Sequence, residues 1–310
     1  FGGALVTAFG WRAIFYLAVP LGMITFAVSC TKLRGEWADA KGEPFDWRGS
    51  LVYAAAILLL ICGASNLDKG LWAWLLALCG TGGLIHFLIL ESHTEFPVLN
   101  VNLLRSNRVF AFSNLAAMLN YAATFGVTFF LSLYLQYVKG LNPREAGTIL
   151  IIQPIVQAAF SPLCGRLADR FSAATVATIG MGLCAAGLAI AASITATTSI
   201  MLIMVMLATL GLGFALFSSP NISVIMGSVP PRYLGVASGL NSTMRTLGMM
   251  GSMTIITIIF SIFMADQAVT PQTQPQFLTS MHTALVTFSA LCIVGIFFSI
   301  ARIKKQPDPK

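Results

Sequence analysis

Residues 199–219 read SIMLIMVMLATLGLGFALFSS. No charged residue interrupts this run, and at 1.5 Å per residue it can cross a hydrocarbon core about 30 Å thick. Comparable runs recur at approximately 13–30, 50–66, 71–91, 109–138, 145–165, 173–193, 235–263 and 282–302. The pattern predicts an all-α, polytopic membrane protein with about nine transmembrane helices, and residues 1–9 read as the end of one more. The stretches between runs are too short for a soluble domain of ordinary size.

Composition agrees. The chain has 310 residues, 57% hydrophobic and only 9% charged, with a mean hydropathy of +0.83. Soluble domains carry about 25% charged residues, so a water-soluble fold of this size is excluded, and disorder needs the opposite balance. Six cysteines (Cys30, Cys62, Cys79, Cys164, Cys184, Cys292) show no CxxC spacing. They read as small lipid- or core-facing residues, with no metal and no disulfide framework.

The net charge of +7 has a topological explanation. With the loop after the first complete span set as cytoplasmic, that side holds Lys32, Arg34, Lys41, Arg48, Arg105, Arg108, Arg166, Arg170, Arg232, Arg302, Lys304, Lys305 and Lys310. The other side holds Arg12, Lys69, Lys139 and Arg144, while Arg245 lies within a span. This is the positive-inside bias, and the basic residues form no cluster of the kind nucleic acid requires. The chain opens on Phe1-Gly2-Gly3 without a signal peptide and reads as the rear part of a longer protein.

Three regions are expected: 1–49, the end of an N-terminal helix bundle and a cytoplasmic linker; 50–91, a central two-helix insert turning at Asn66–Gly70; and 92–310, a C-terminal six-helix bundle. All eleven acids fall in loops or at span ends, so no midplane carboxylate is available for a proton relay. Arg245 is different. An arginine near a helix centre costs roughly 2.5–3.5 kcal/mol on insertion scales and should face protein or a water-filled cavity. Asn241, Arg245, Gly248 and Ser252 share a helical face; the arginine is either a translocation-path residue or a structural one snorkelling to the cytoplasmic end. Asn114, Asn120, Tyr121 and Thr124, with Gln153 and Gln157 flanking Pro154, are either a cavity lining or interhelical glue. Gly180, Gly182, Gly187, Gly211 and Gly213 read as close-packing positions, and His86 as a packing residue.

The loop Gly165-Arg166-Leu167-Ala168-Asp169-Arg170-Phe171-Ser172 supplies a glycine exit, a candidate cap and an Arg/Asp latch. Here the chain resembles the major facilitator superfamily, whose cytoplasmic loop signature runs G-x-L-a-D-r. Phe9-Gly10-Trp11-Arg12, Val19-Pro20-Leu21-Gly22, Phe45-Asp46-Trp47-Arg48-Gly49, Phe96-Pro97-Val98-Leu99 and Asn241-Ser242-Thr243-Met244-Arg245 are similar to the 14-helix drug:proton antiporters, which the central hairpin separates from 12-helix members. That resemblance implies a C-terminal fragment retaining only Gly2 and Gly3 of the antiporter motif, with the early-helix coupling acid and the N-terminal helices outside the chain.

The expected function is then proton-coupled efflux of drugs or other amphiphilic, often cationic small molecules by alternating access. The expected location is a bacterial-type inner or plasma membrane, and the expected partners are substrate, protons, the lipid bilayer and the remaining helices of the same protein. Alternatives are a facilitator-type metabolite carrier, or a truncated chain with no transport alone. An enzyme is not expected, since HExxH, GxSxG and paired intramembrane aspartates are all missing, and no cofactor is implied. The site residues expected on the substrate path are Asn120, Tyr121, Gln153, Gln157, Asn241 and Arg245, with Gly165, Asp169 and Arg170 in the loop motif.

Overall fold

The computed structural model describes residues 10, 12–32, 45–64, 66–95, 97–99, 101–264, 267 and 269–303. The stretch 1–9 with Gly2 and Gly3, the loop basic residues Arg34 and Lys41, and Lys304, Lys305 and Lys310 lie outside the described residues. The helices are α1 (Arg12–Lys32), α2 (Trp47–Ala64), α3 (Leu71–Glu91), α4 (Val101–Ser106), α5 (Arg108–Leu133), α6 (Pro143–Leu150), α7 (Ile152–Arg170), α8 (Ala173–Ala192), α9 (Ile200–Gly227), α10 (Leu234–Met264) and α11 (Gln274–Ile303). With α6 and α7 taken as one interrupted rod, nine helical segments among the described residues are long and apolar enough to cross a membrane.

Local chemistry sets several ends. Asn107 starts α5 by accepting from the Phe110 amide at 3.0 Å. Asn142 and Glu145 form a reciprocal capping box at α6, each side chain accepting from the other's backbone amide. Pro154 has no amide to give Leu150, and the rod breaks at Ile151 between α6 and α7. The exit from α7 differs from expectation: Gly165 lies inside the helix, which continues to Arg170. The chain turns instead at Phe171, where the backbone becomes extended.

Helices α5 to α11 form one bundle. Helix α5 packs on α10 and α11, α9 packs on α7 and α8, and α8 meets α11. Exchanging α5 with α9, α7 with α10 and α8 with α11 maps these main packing pairs onto one another. Small residues permit the closest approaches. A Cβ on Gly180 would lie 2.6 Å from the Phe217 amide nitrogen, and one on Gly213 would lie 2.8 Å from that of Cys184. Gly187 and Gly211 are equally enclosed, whereas Gly182 faces open space and is not a packing position. Toward one end the core is aromatic, with Phe130 stacked on Phe260 at 5.6 Å.

The hairpin α2–α3 closes through Gly63 and Gly80, against the backbones of Ala77 and Leu60. It joins the bundle through the Tyr53 hydroxyl, 2.6 Å from Thr243 Oγ1 on α10, and through Phe87, Leu99, Phe110 and Leu240. None of the described residues of α1 is buried.

Candidate functional site

An open hollow of about 440 Å3 lies between α7 and α10, with α5 and α9 behind it. Each helix supplies residues at i, i+3/i+4 spacing, the period that stacks side chains on one helical face. Helix α5 brings Tyr121, Thr124, Phe125, Thr128 and Phe129; α7 brings Gln153 and Gln157; α9 brings Phe214 and Ser218; α10 brings Arg245, Met249 and Met253. Four of the six residues expected on a substrate path therefore meet here: Tyr121, Gln153, Gln157 and Arg245.

The hollow has a polar and an apolar component. Arg245 places its guanidinium carbon 5.3 Å from the centroid of the Tyr121 ring, and that ring lies 5.9 Å from Phe214. Together they form a cation seated on an aromatic shelf. Among the described residues, the head groups of Gln153, Gln157 and Arg245 make no protein hydrogen bond, so they remain available to a ligand. The Thr124 hydroxyl is committed, donating to the Asn120 carbonyl at 2.6 Å. Phe125, Phe129, Met249 and Met253 complete walls suited to an apolar or aromatic surface.

Asn120 and Asn241 are placed elsewhere. Asn120 is 0% exposed, and neither its Nδ2 nor its Oδ1 has a partner among the described residues. Asn241 is half-buried, one turn before Arg245 and outside the hollow's wall. The shared face of α10 also divides. Gly248 lies against the Met118 carbonyl of α5, and the Ser252 hydroxyl accepts from the Gly126 amide at 2.9 Å, leaving Arg245 as the member that turns to the hollow. Asn114 is buried and bonds the Phe110 carbonyl at 2.9 Å.

The loop motif lies at one end of the bundle. Asp169 and Arg170 border a crevice of about 780 Å3 with Asn107, Ser172 and Ser228, but among the described residues Asp169 forms no ion pair, so the expected latch is not closed. Ser172 begins α8 without a side-chain cap. Beside this crevice is a residue that sequence reasoning counted only among the basic residues of the cytoplasmic side, at the end of the last span. Arg302 is 1% exposed and donates to Asn221 Oδ1, to Ser113 Oγ at 2.9 Å and to the Ala174 carbonyl at 3.4 Å. It thereby ties α5, α8, α9 and α11 together. The available signal was the pair of small polar residues, Ser113 and Asn221, inside otherwise apolar helices.

Comparisons with known proteins bear on this geometry. Residues 1–253 match the family profile described as Major Facilitator Superfamily. The riboflavin transporter RibZ of Clostridioides difficile is 28% identical over 312 residues, covering 98% of this chain and 66% of the relative. The tetracenomycin C resistance and export protein of Streptomyces glaucescens is 27% identical, covering 86% and 49%. The multidrug resistance protein Stp of Mycobacterium tuberculosis is 27% identical, covering 80% and 46%. The chain thus spans between 46% and 66% of the length of these relatives. Among solved structures, a bacterial homolog of the human lysosomal transporter Spinster aligns with a TM-score of 0.54 at 15% identity, covering 84% of this chain and 71% of that one. The nucleoside transporter NupG aligns with a TM-score of 0.51 at 14% identity, covering 90% and 86%. These two likenesses concern the fold.

Proposed function

This chain belongs to the Major Facilitator Superfamily, and from that membership we propose that it forms one wall of a secondary transporter for amphiphilic small molecules. The observation that carries the reading is the hollow in which Arg245 and Tyr121 face Gln153 and Gln157 across aromatic and methionine walls. Such a surface offers a stacking platform, a cationic donor and two amides, with apolar area around them. An exposed arginine disfavours a cationic substrate at this wall, so neutral or anionic amphiphiles are the better fit.

In this reading, α5 to α11 form the C-terminal bundle, α2–α3 is the central insert, and α1 belongs with the opposite bundle formed by further helices of the same protein. The shorter length of this chain relative to its relatives supports that division. The two bundles would rock about the hollow in an inner or plasma membrane, with the Gly165–Arg170 end cytoplasmic. The 14-helix antiporter assignment and efflux by proton exchange are supported by the motif resemblance and by the export-related relatives; the coupling acid would lie outside the spans of this chain. A metabolite carrier is the second reading, supported by the 28% identity to a riboflavin transporter.

The test is a cell accumulation assay on the complete protein, with and without a protonophore. The leading reading expects deletion to raise retained dye or drug, and the protonophore to remove the difference. Unchanged accumulation of amphiphiles together with protein-dependent riboflavin flux would transfer support to the carrier reading.

A further inference from the structure

The base of the α2–α3 hairpin carries an arrangement that the transport reading does not use. Asp46 precedes α2, and its Oδ1 accepts from the Gly49 amide at 2.8 Å, capping the helix. Glu91 ends α3, and its Oε2 accepts from the Leu99 amide at 2.7 Å, fixing the returning chain. Each acid has a second oxygen. Asp46 Oδ2 and Glu91 Oε1 are buried and have no hydrogen-bond partner among the described residues, and Glu91 is only 2% exposed. Both of these oxygens converge on Gly49, where a Cβ would collide with the two of them at once.

Among the described residues, no cation pairs with either acid. On the surrounding elements, Arg48 of α2, Arg105 of α4, Arg108 of α5 and Arg232 before α10 are solvent-exposed, as are His93 and Glu95 in the loop after α3. His93 instead bonds the Ile89 carbonyl at 2.9 Å, and Arg232 lies over the Tyr233 ring. Two ionised carboxylates facing one another in a buried site repel, and each would retain an unsatisfied acceptor. One proton removes both costs, because a carboxylic acid O–H donates to the opposing carboxylate.

We propose that Asp46 and Glu91 form a proton-binding site, a carboxylic acid–carboxylate pair that shares one proton and closes the open end of the hairpin onto the segment leading to α4. When the proton leaves to water, both oxygens carry charge and separate. The Asp46 cap and the Glu91–Leu99 contact then loosen together. The site is independent of the transported compound.

The pH dependence has a definite sign. A proton shared by the folded pair, and not by the separately solvated acids of the unfolded chain, fixes that sign. Stability from this pair is therefore full only below the ordinary carboxylate range, and it declines as pH rises from there through the site's own titration.

The experiment uses the purified protein in lipid nanodiscs. Infrared spectroscopy from acidic to alkaline pH is expected to show a carboxylic acid C=O band that persists above the ordinary carboxylate range and is lost in Glu91→Gln and in Asp46→Asn; the latter retains an acceptor for the Gly49 cap. The thermal midpoint of the parent protein is expected to fall from mildly acidic to alkaline pH, and this slope should be lost in Glu91→Gln. A band that vanishes within the ordinary carboxylate range, or one unchanged in both variants, overturns the proposal. So does a midpoint that rises with sodium while no band is present, because that assigns the site to a metal cation. Should Glu91→Gln fail to fold, Asp46→Asn and the parent band decide.

Discussion

The Arg245 guanidinium carbon lies 5.3 Å from the centroid of the Tyr121 ring, joining α10 to α5 at the open hollow. A cation over an aromatic face contributes about 0.5–1 kcal/mol when exposed and about 2 kcal/mol or more when desolvated. Arg245 is exposed here, so the contact contributes little to folding before a ligand covers it. Arg245→Gln should leave expression and thermal midpoint nearly unchanged while reducing substrate flux at least several-fold. Arg245→Lys should restore only part of that flux, since an ammonium lacks the planar stack. A flux unaffected in both variants, measured in proteoliposomes of the complete protein, would remove Arg245 from the substrate path.

Gly211 and Gly182 form a matched pair for testing the packing. A Cβ on Gly211 would lie 2.5 Å from the Gln153 carbonyl, whereas one on Gly182 meets nothing within 4 Å. Gly211→Ala should destabilise by about 1–3 kcal/mol through overpacking and should displace Gln153 from the hollow. Gly182→Ala should be neutral or stabilising, by up to about 1 kcal/mol of helix propensity. Thermal melts of both variants in one detergent provide the comparison.

Arg302 joins Ser113, Ala174 and Asn221 at the end of the bundle that carries the loop motif. Arg302→Ala removes hydrogen bonds from a charged donor and leaves Asn221 and Ser113 without it. The expected loss is about 2–3 kcal/mol, and hydrogen exchange should speed up at the adjoining ends of α5, α8, α9 and α11. Faster exchange confined to α11 would show that the residue does not tie the four helices.

Tyr53 and Thr243 provide a separate link between the hairpin and α10, at 2.6 Å. Tyr53→Phe keeps the ring beside Phe87 and removes only the hydroxyl, at a cost of about 1 kcal/mol. Limited proteolysis of the hairpin should accelerate, with ligand affinity at the Arg245 hollow unchanged. Equal protection in parent and variant would show that apolar packing alone holds the hairpin.

The number of spans and their approximate limits were legible in the amino-acid order, and of the six polar residues it marked for a substrate path, Tyr121, Gln153, Gln157 and Arg245 line one hollow. Polar groups in apolar helices are costly enough to stand out, and Pro154 marked the break at Ile151. The helix running past Gly165 was not legible, since a glycine permits an exit without requiring one. Asn120 has the same composition signal as Gln153, yet it faces the interior. Glu91 sits at a span end, as expected, but it is buried against Gly49, forty-two positions earlier in the chain.

Crossing segments are fixed locally, because hydrocarbon offers the backbone no hydrogen-bond partner and a long apolar run must satisfy itself as a helix. The direction in which each face turns is a different matter. Lipid tails are as apolar as a neighbouring helix, so a segment such as 200–227, apolar on nearly every side, carries no pattern separating its protein face from its lipid face. Complementary shape settles that choice: glycine against backbone at Gly180 and Gly213, Arg302 against Asn221, and Arg245 against Tyr121. Each of these depends on partners remote in the chain, which become neighbours only when the helices assemble.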